Sequence, residues 1–298
     1  MTSDFYGLPV HSIGNEHVRL EFLAEAGPRI VRMHAAGSEN NLLAEMPDMK
    51  WMTPYGEYHV YGGHRLWHAP EVPWRTYVPD EEGLEIESLA DGVRLRGSLE
   101  RPTGLRKSID VHLDRDQTRV TLVHRLVNEG TRAIECAPWA ITQLPLGGVA
   151  ILPQPSGPLD ADGLQPNRIL VVWPYTHWND PRLHLHDDFS LLHAEARSPA
   201  IKIGYSNRHG WIGYLRAGVF FRKRFEPDAD RPHPDFGSNV EVYCDDRVIE
   251  LETLAPLRNL EPGQSVTHIE TWDIFTGLEM PPTLDGVRML IQSQEKNK

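Results

Sequence analysis

The chain has 298 residues, of which 40% are hydrophobic and 24% charged, so it can bury a sizeable core without a metal or disulfide staple. Its 30 Lys and Arg face 42 Asp and Glu, a formal charge of −12. That balance argues against a nucleic-acid binder, which must displace counterions, and against docking on an anionic membrane surface.

The elements follow in chain order as short strand-like runs bounded by Gly, Pro, Asn and Asp. Strands are expected at 17–23 and 29–33, around the Ala26-Gly27-Pro28 turn. Residues 62–68 read as a loop, because Gly62, Gly63 and Pro70 oppose a helix. Further strands are expected at 92–97, 108–113, 119–127, 137–145, 169–173 and 182–186. The series continues through 201–205, 211–215, 219–225, 240–244, 248–254 and 266–275. Residues 287–291 read as a short helix or a last strand. The 24 Gly and 24 Pro are spread along the chain, and neither a fixed-period repeat nor a linker tract divides it. The expectation is an all-β sandwich or barrel forming one domain over residues 1–298. With two cysteines, Cys136 and Cys244, no disulfide framework is implied. There is no leader-like N-terminus and no 18-residue apolar run, so a soluble, cytoplasmic protein is expected.

Five segments carry functional chemistry. In Gly62–His68, Trp67 offers an apolar face while His64, Arg65 and His68 supply hydrogen bonds to a polar ligand. In 248–256, strand alternation puts Glu250 and Glu252 on one face, about 6.6 Å apart along the strand. If that face lines a pocket, one carboxylate raises the other's pKa, which suits a general base; if it meets water, they are a solvated face. Trp173, Asp180 and Arg182 belong to an aromatic and polar segment. His184 and His186 beyond it have the i, i+2 spacing that can chelate a metal, although a third ligand is not evident. Gln143 shares a strand face with Trp139 and Ile141. Lys223 lies among Phe220, Phe221 and Phe225, where a lone cation needs a partner or a ligand. Phosphate-binding glycine loops, a nucleophile elbow and zinc cysteine pairs are absent from the sequence.

Taken together, Ala26–Ile30, Asn41–Glu45, Gly62–Trp67, Trp173–Tyr175, Asp180–Arg182, Gly210–Tyr214, Glu250–Pro256, Leu260–Gln264 and Glu270–Trp272 resemble the galactose-mutarotase-like (aldose 1-epimerase-like) superfamily. The resemblance covers nearly the whole chain. It implies a large antiparallel β-supersandwich with a sugar site on a concave face. There a histidine protonates the ring oxygen and a glutamate takes the anomeric hydroxyl proton. Glu252-Thr253-Leu254 matches the family's Glu-Thr-Gln, which makes Glu252 the expected base. Gln143 stands at or near the histidine position and is no general acid, so His64 becomes the expected acid. Arg65, Trp67, His68, Gln143, Trp173, Asp180, Arg182, Lys223 and Glu250 are the expected sugar contacts, with no cofactor and no metal. The cations Arg65, Arg182 and Lys223 admit an acidic or phosphorylated sugar as well as a free one. The alternative is a carbohydrate-binding protein that keeps the groove without the acid. A metal-dependent enzyme built on His184 and His186 is the remaining option.

Overall fold

The structure is a computed structural model that describes residues 4–228, 230–279 and 283–296. Two large antiparallel sheets face each other, as the all-β reading expects. The first runs in spatial order Asp4–Phe5, Leu8–Gly14, Val18–Leu23, Arg29–Ala35, His64–Ala69, Ile134–Pro145, Val248–Leu254, Val240–Cys244, Ile201–Tyr205 and Val171–Val172. Arg258–Leu260 pairs with one end of Ile134–Pro145. The second runs Leu183–Leu185, Phe189–His193, Val149–Pro153, Trp211–Arg216, Val219–Phe225, Ser265–Phe275, Arg119–Asn128, Leu105–Leu113, Gly92–Glu100 and Glu85–Leu89. A separate hairpin, Glu45–Thr53 with Gly56–Gly62, lies against the first sheet.

The main core fills the space between the sheets. Leu66, Leu144, Ile249, Leu251 and Val242 from the first sheet pack with Leu122, Leu126, Ile212, Phe221 and Trp272 from the second. Each fully buried aliphatic side chain contributes about 1.5–3 kcal/mol over its exposed state. The opposite face of the first sheet carries an apolar cluster of its own, with Trp67, Trp139, Ile141 and Leu254 beneath Tyr58 and Val60 of the hairpin. One end of the outer face of the second sheet is covered by the C-terminal helix Leu284–Lys296. Its Val287 and Leu290 pack on Val149, Ile151, Leu191, Leu215 and Phe220, which settles the two options for 287–291 in favour of helix. Both cysteines are free and buried. Among the described residues, no helix is long and apolar enough to cross a membrane.

One element departs from the sequence reading in a way that matters for function. Residues 64–69 form a strand rather than a loop. Gly62 and Gly63, at φ of +91° and +70°, make the bend before it, and a Cβ on either would meet the carbonyl oxygen of Ala44 or Ile30. The glycines are therefore the joint between hairpin and sheet, and the six residues after them alternate faces.

Candidate active site

Cross-strand register decides which side chains share the face turned away from the second sheet, because directly paired residues point the same way. Arg65 pairs with Ile141, Ile141 with Glu252, Glu252 with Glu241, and Glu241 with Gly204. The neighbouring row holds Gln143, Glu250, Tyr243 and Lys202. Trp67, Trp139 and Leu254 form the row on the other side. Five adjacent strands thus place two cations and three carboxylates on one face.

Lys202 Nζ sits at the centre, 2.8 Å from Glu241 Oε2 and 3.0 Å from Glu252 Oε2. It lies over the rings of Trp139 and Trp173, at 4.6 and 4.8 Å from their centroids. Burial disfavours its charge, but Glu252 and Glu241 outweigh burial and raise its pKa well above the ordinary lysine value. Glu252 is fully buried, and its Oε2 also accepts a 2.6 Å hydrogen bond from Trp139 Nε1. Its Oε1 has no hydrogen-bond partner. Burial, with the Glu252 charge adding to it and Lys202 opposing, raises the Glu241 carboxyl well above the carboxylate range. Glu250 accepts a hydrogen bond from Gln143 Nε2 and has Arg65 Nη2 at 3.6 Å. Burial and then the Glu252 charge push its pKa up to about 7, against the pull of Arg65 and Lys202. Arg65 Nε and Gln143 Oε1 are also buried without partners.

An aromatic wall closes one side. Trp67 lies edge-on to Trp139 and Tyr77, donates its Nε1–H to Tyr58 Oη at 2.7 Å, and carries the Arg65 guanidinium over its ring. Trp51 packs on Tyr58 and Tyr77. Such a wall beside a few polar groups suits the apolar face and the hydroxyls of a sugar.

The structure brings Glu252, Glu250, Arg65, Trp67, Gln143 and Trp173 to this face or its edge, but it places the other expected residues elsewhere. His64 points the opposite way, into the space between the sheets. Its Nδ1 meets Thr142 Oγ1 at 2.9 Å and its Nε2 meets His124 Nε2 at 2.7 Å. His124 Nδ1 must donate to the His268 carbonyl, 3.1 Å away, so its Nε2 accepts from His64 and His64 Nδ1 accepts from the Thr142 hydroxyl. Burial first, then neighbouring positive groups, holds His64 well below the usual histidine pKa, and the His124 ring is lowered to about 3. Strand parity thus turns His64, the expected acid, away from Glu252, and a loop reading could not supply that parity.

Lys223 is in the same interior cluster. Its partner is Glu270, at 2.8 Å, and it donates to the carbonyls of Ala140 and Leu251 and to Thr142 Oγ1. His64, His124 and Glu270 have ligand atoms within 4.8 Å of one another. The Lys223 ammonium already fills the cation's place there, and the two rings are hydrogen-bonded. His68 also faces inward, toward the Arg75 carbonyl and Glu100. Arg182 is fully buried and forms a two-pronged ion pair with Asp180, while its remaining N–H groups tie down the carbonyls of Arg197, Pro199 and Cys244. That pair is a loop anchor with no donor left for a sugar. His184 is exposed and bonds the Pro181 carbonyl, and among the described residues no third ligand joins it and His186.

The sequence reading missed Lys202 and Glu241. Each is the one charged residue in a strand of buried neighbours, Ile201-Lys202-Ile203 and Val240-Glu241-Val242. The same alternation drew attention to Glu250 and Glu252 and applied equally to these two strands.

No family model matches the sequence, and no curated protein matches it. Solved structures do. A TPR-domain containing protein from Parabacteroides distasonis ATCC 8503 is similar with a TM-score of 0.62 at 14% identity, over 93% of this chain and 50% of that one. The chain thus spans half the length of that protein. A galactose mutarotase-like protein from Lactobacillus casei ATCC 334 gives 0.57 at 9% identity, over 89% of this chain and 100% of that one. A galactose mutarotase related enzyme from Lactobacillus acidophilus gives 0.56 at 10% identity, over 91% and 98%. These likenesses show the fold: the chain has the all-β, galactose-mutarotase-like architecture.

Proposed function

We propose that the chain is an aldose 1-epimerase-like sugar isomerase whose reaction takes place over Glu252. The observation that carries this reading is a buried carboxylate, on the aromatic-walled face of a mutarotase-like fold, with one oxygen held by Lys202 and Trp139 and the other unpartnered. Glu252 Oε1 takes the anomeric hydroxyl proton, the ring opens, the C1–C2 bond rotates, and reclosure gives the other anomer. Glu252 is fully buried, so sugar entry requires the side chains around it to give way. Of the three cations that admitted an acidic sugar, Arg182 and Lys223 are engaged by Asp180 and Glu270. With Arg65 and Lys202 against Glu241, Glu250 and Glu252 on the face, an uncharged aldose is the favoured substrate.

The test is anomer exchange followed by NMR over a panel of aldoses, uronic acids and sugar phosphates. Wild type should accelerate exchange of a neutral aldose. Glu252→Gln should lower the rate by about 10²–10⁴-fold, the usual share of a general acid–base group, with its circular dichroism unchanged. Acceleration that survives the substitution removes Glu252 from the mechanism. One observation favours a second reading, a sugar-binding protein without turnover: the expected acid, His64, lies behind the sheet. Saturation transfer to a sugar whose exchange is not accelerated would select that reading.

A further inference from the structure

Ring opening needs a proton donor at the ring oxygen as well as a base at the anomeric hydroxyl. His64 is on the wrong side of its strand, and Gln143 has no titratable proton. Lys202 is enclosed by Glu241, Glu252, Trp139 and Trp173, which favour keeping its proton. Glu241 is 1% exposed and pairs with Lys202.

Resting on the isomerase reading, we infer that Glu250 is the catalytic acid of this site, a carboxyl standing in for the histidine and working with Glu252 two residues along the same strand face. The two Cα atoms are about 6.6 Å apart by strand geometry, within the span of one pyranose ring and its substituents. The Glu250 side chain is 16% exposed, whereas that of Glu252 is sealed, so Glu250 is the carboxyl a ligand meets first. Gln143 and Arg65 fix its orientation from two neighbouring strands. The groups facing it are Arg65, Glu252, Lys202, Tyr243 and Tyr175. Burial and Glu252 outweigh the cations and leave Glu250 with a pKa of about 7, where a carboxyl both gives and retakes a proton at neutral pH.

The step balances. Glu250 gives its proton to the ring oxygen as the C1–O5 bond breaks, and Glu252 takes the proton of O1 as the C1=O bond forms. After rotation about C1–C2, O5 returns its proton to Glu250 and attacks C1, and Glu252 returns its proton to O1. Both carboxyls end as they began.

The experiment is the pH profile of anomer exchange for wild type, Glu250→Gln and Glu250→Asp. An acid must be protonated, so the wild-type rate should fall as pH rises through about 7. Glu250→Gln should lose about 10²–10⁴-fold in kcat, with KM changed by less than about threefold and the fall above pH 7 abolished. Glu250→Asp keeps a carboxyl and should restore part of the rate with a displaced limb. It also carries the test should the glutamine variant fail to fold. A Glu250→Gln enzyme that keeps its kcat and its high-pH limb overturns the acid assignment alone. A wild type that accelerates exchange of no sugar overturns the isomerase reading and this assignment with it.

Discussion

The first sheet carries buried charge on both of its faces, and the two faces solve the problem differently. Between the sheets, Lys223, Glu270, His64, His124, His268, Thr142 and Thr253 form a closed network. Lys223 forms an ion pair with Glu270, Trp272 donates to Glu270, Thr253 links Glu270 to His268, and Thr142 links Lys223 to His64. None of these side chains has a buried polar atom without a partner. On the other face, similar residue types leave Arg65 Nε, Gln143 Oε1, Glu241 Oε1 and Glu252 Oε1 unpartnered. Burial is common to both, so saturation is what separates these two clusters.

Breaking the closed network should give the largest stability change. Lys223→Met leaves Glu270 as an uncompensated buried charge and should cost about 3–5 kcal/mol in urea unfolding at pH 7. A cost under about 1 kcal/mol would mean that the network is not closed by Lys223.

The two faces should also answer pH with opposite signs. Burial lowers His124 and His268 to about 3 in the folded protein. In the unfolded chain they take up protons near 6.5, so their contribution is whole above that value and is lost as pH falls toward 3, by about 1.4 kcal/mol per group per unit. Glu250 runs the other way. Its folded pKa of about 7 lies above the ordinary glutamate value of 4.5, so its contribution is whole below 4.5 and is lost as pH rises to 7. Unfolding free energies measured from pH 5 to pH 7 should therefore rise less steeply in His124→Gln than in wild type. In Glu250→Gln they should rise more steeply. Parallel slopes in all three would break the comparison.

Much of this was legible in the sequence. The runs 201–205, 219–225, 240–244 and 248–254 are strands with those bounds, because alternating β-branched and aromatic residues between turn residues admit little else. Glu250 and Glu252 were legible as a same-face pair for the same reason. Face identity was not legible where the element was misread: Gly62, Gly63 and Pro70 frame a strand, and reading a loop there left His64 free to join Glu252. Lys202 and Glu241 escaped because alternation gives parity within one strand but never says which strand lies beside it. Only the register across Val248–Leu254, Val240–Cys244 and Ile201–Tyr205 puts those charges together. Arg182 and Lys223 look like free cations in the sequence, and their partners, Asp180 and Glu270, become visible only in three dimensions.

The most direct test of the account is a paired one, anomer exchange of a neutral aldose by Glu252→Gln and His64→Gln side by side. If the incomplete face is the site and the closed network is structural, exchange is lost in Glu252→Gln. In His64→Gln it stays within about threefold of wild type, with only a stability cost. Exchange lost in a folded His64→Gln and kept in Glu252→Gln would move the chemistry to the interior and contradict the account.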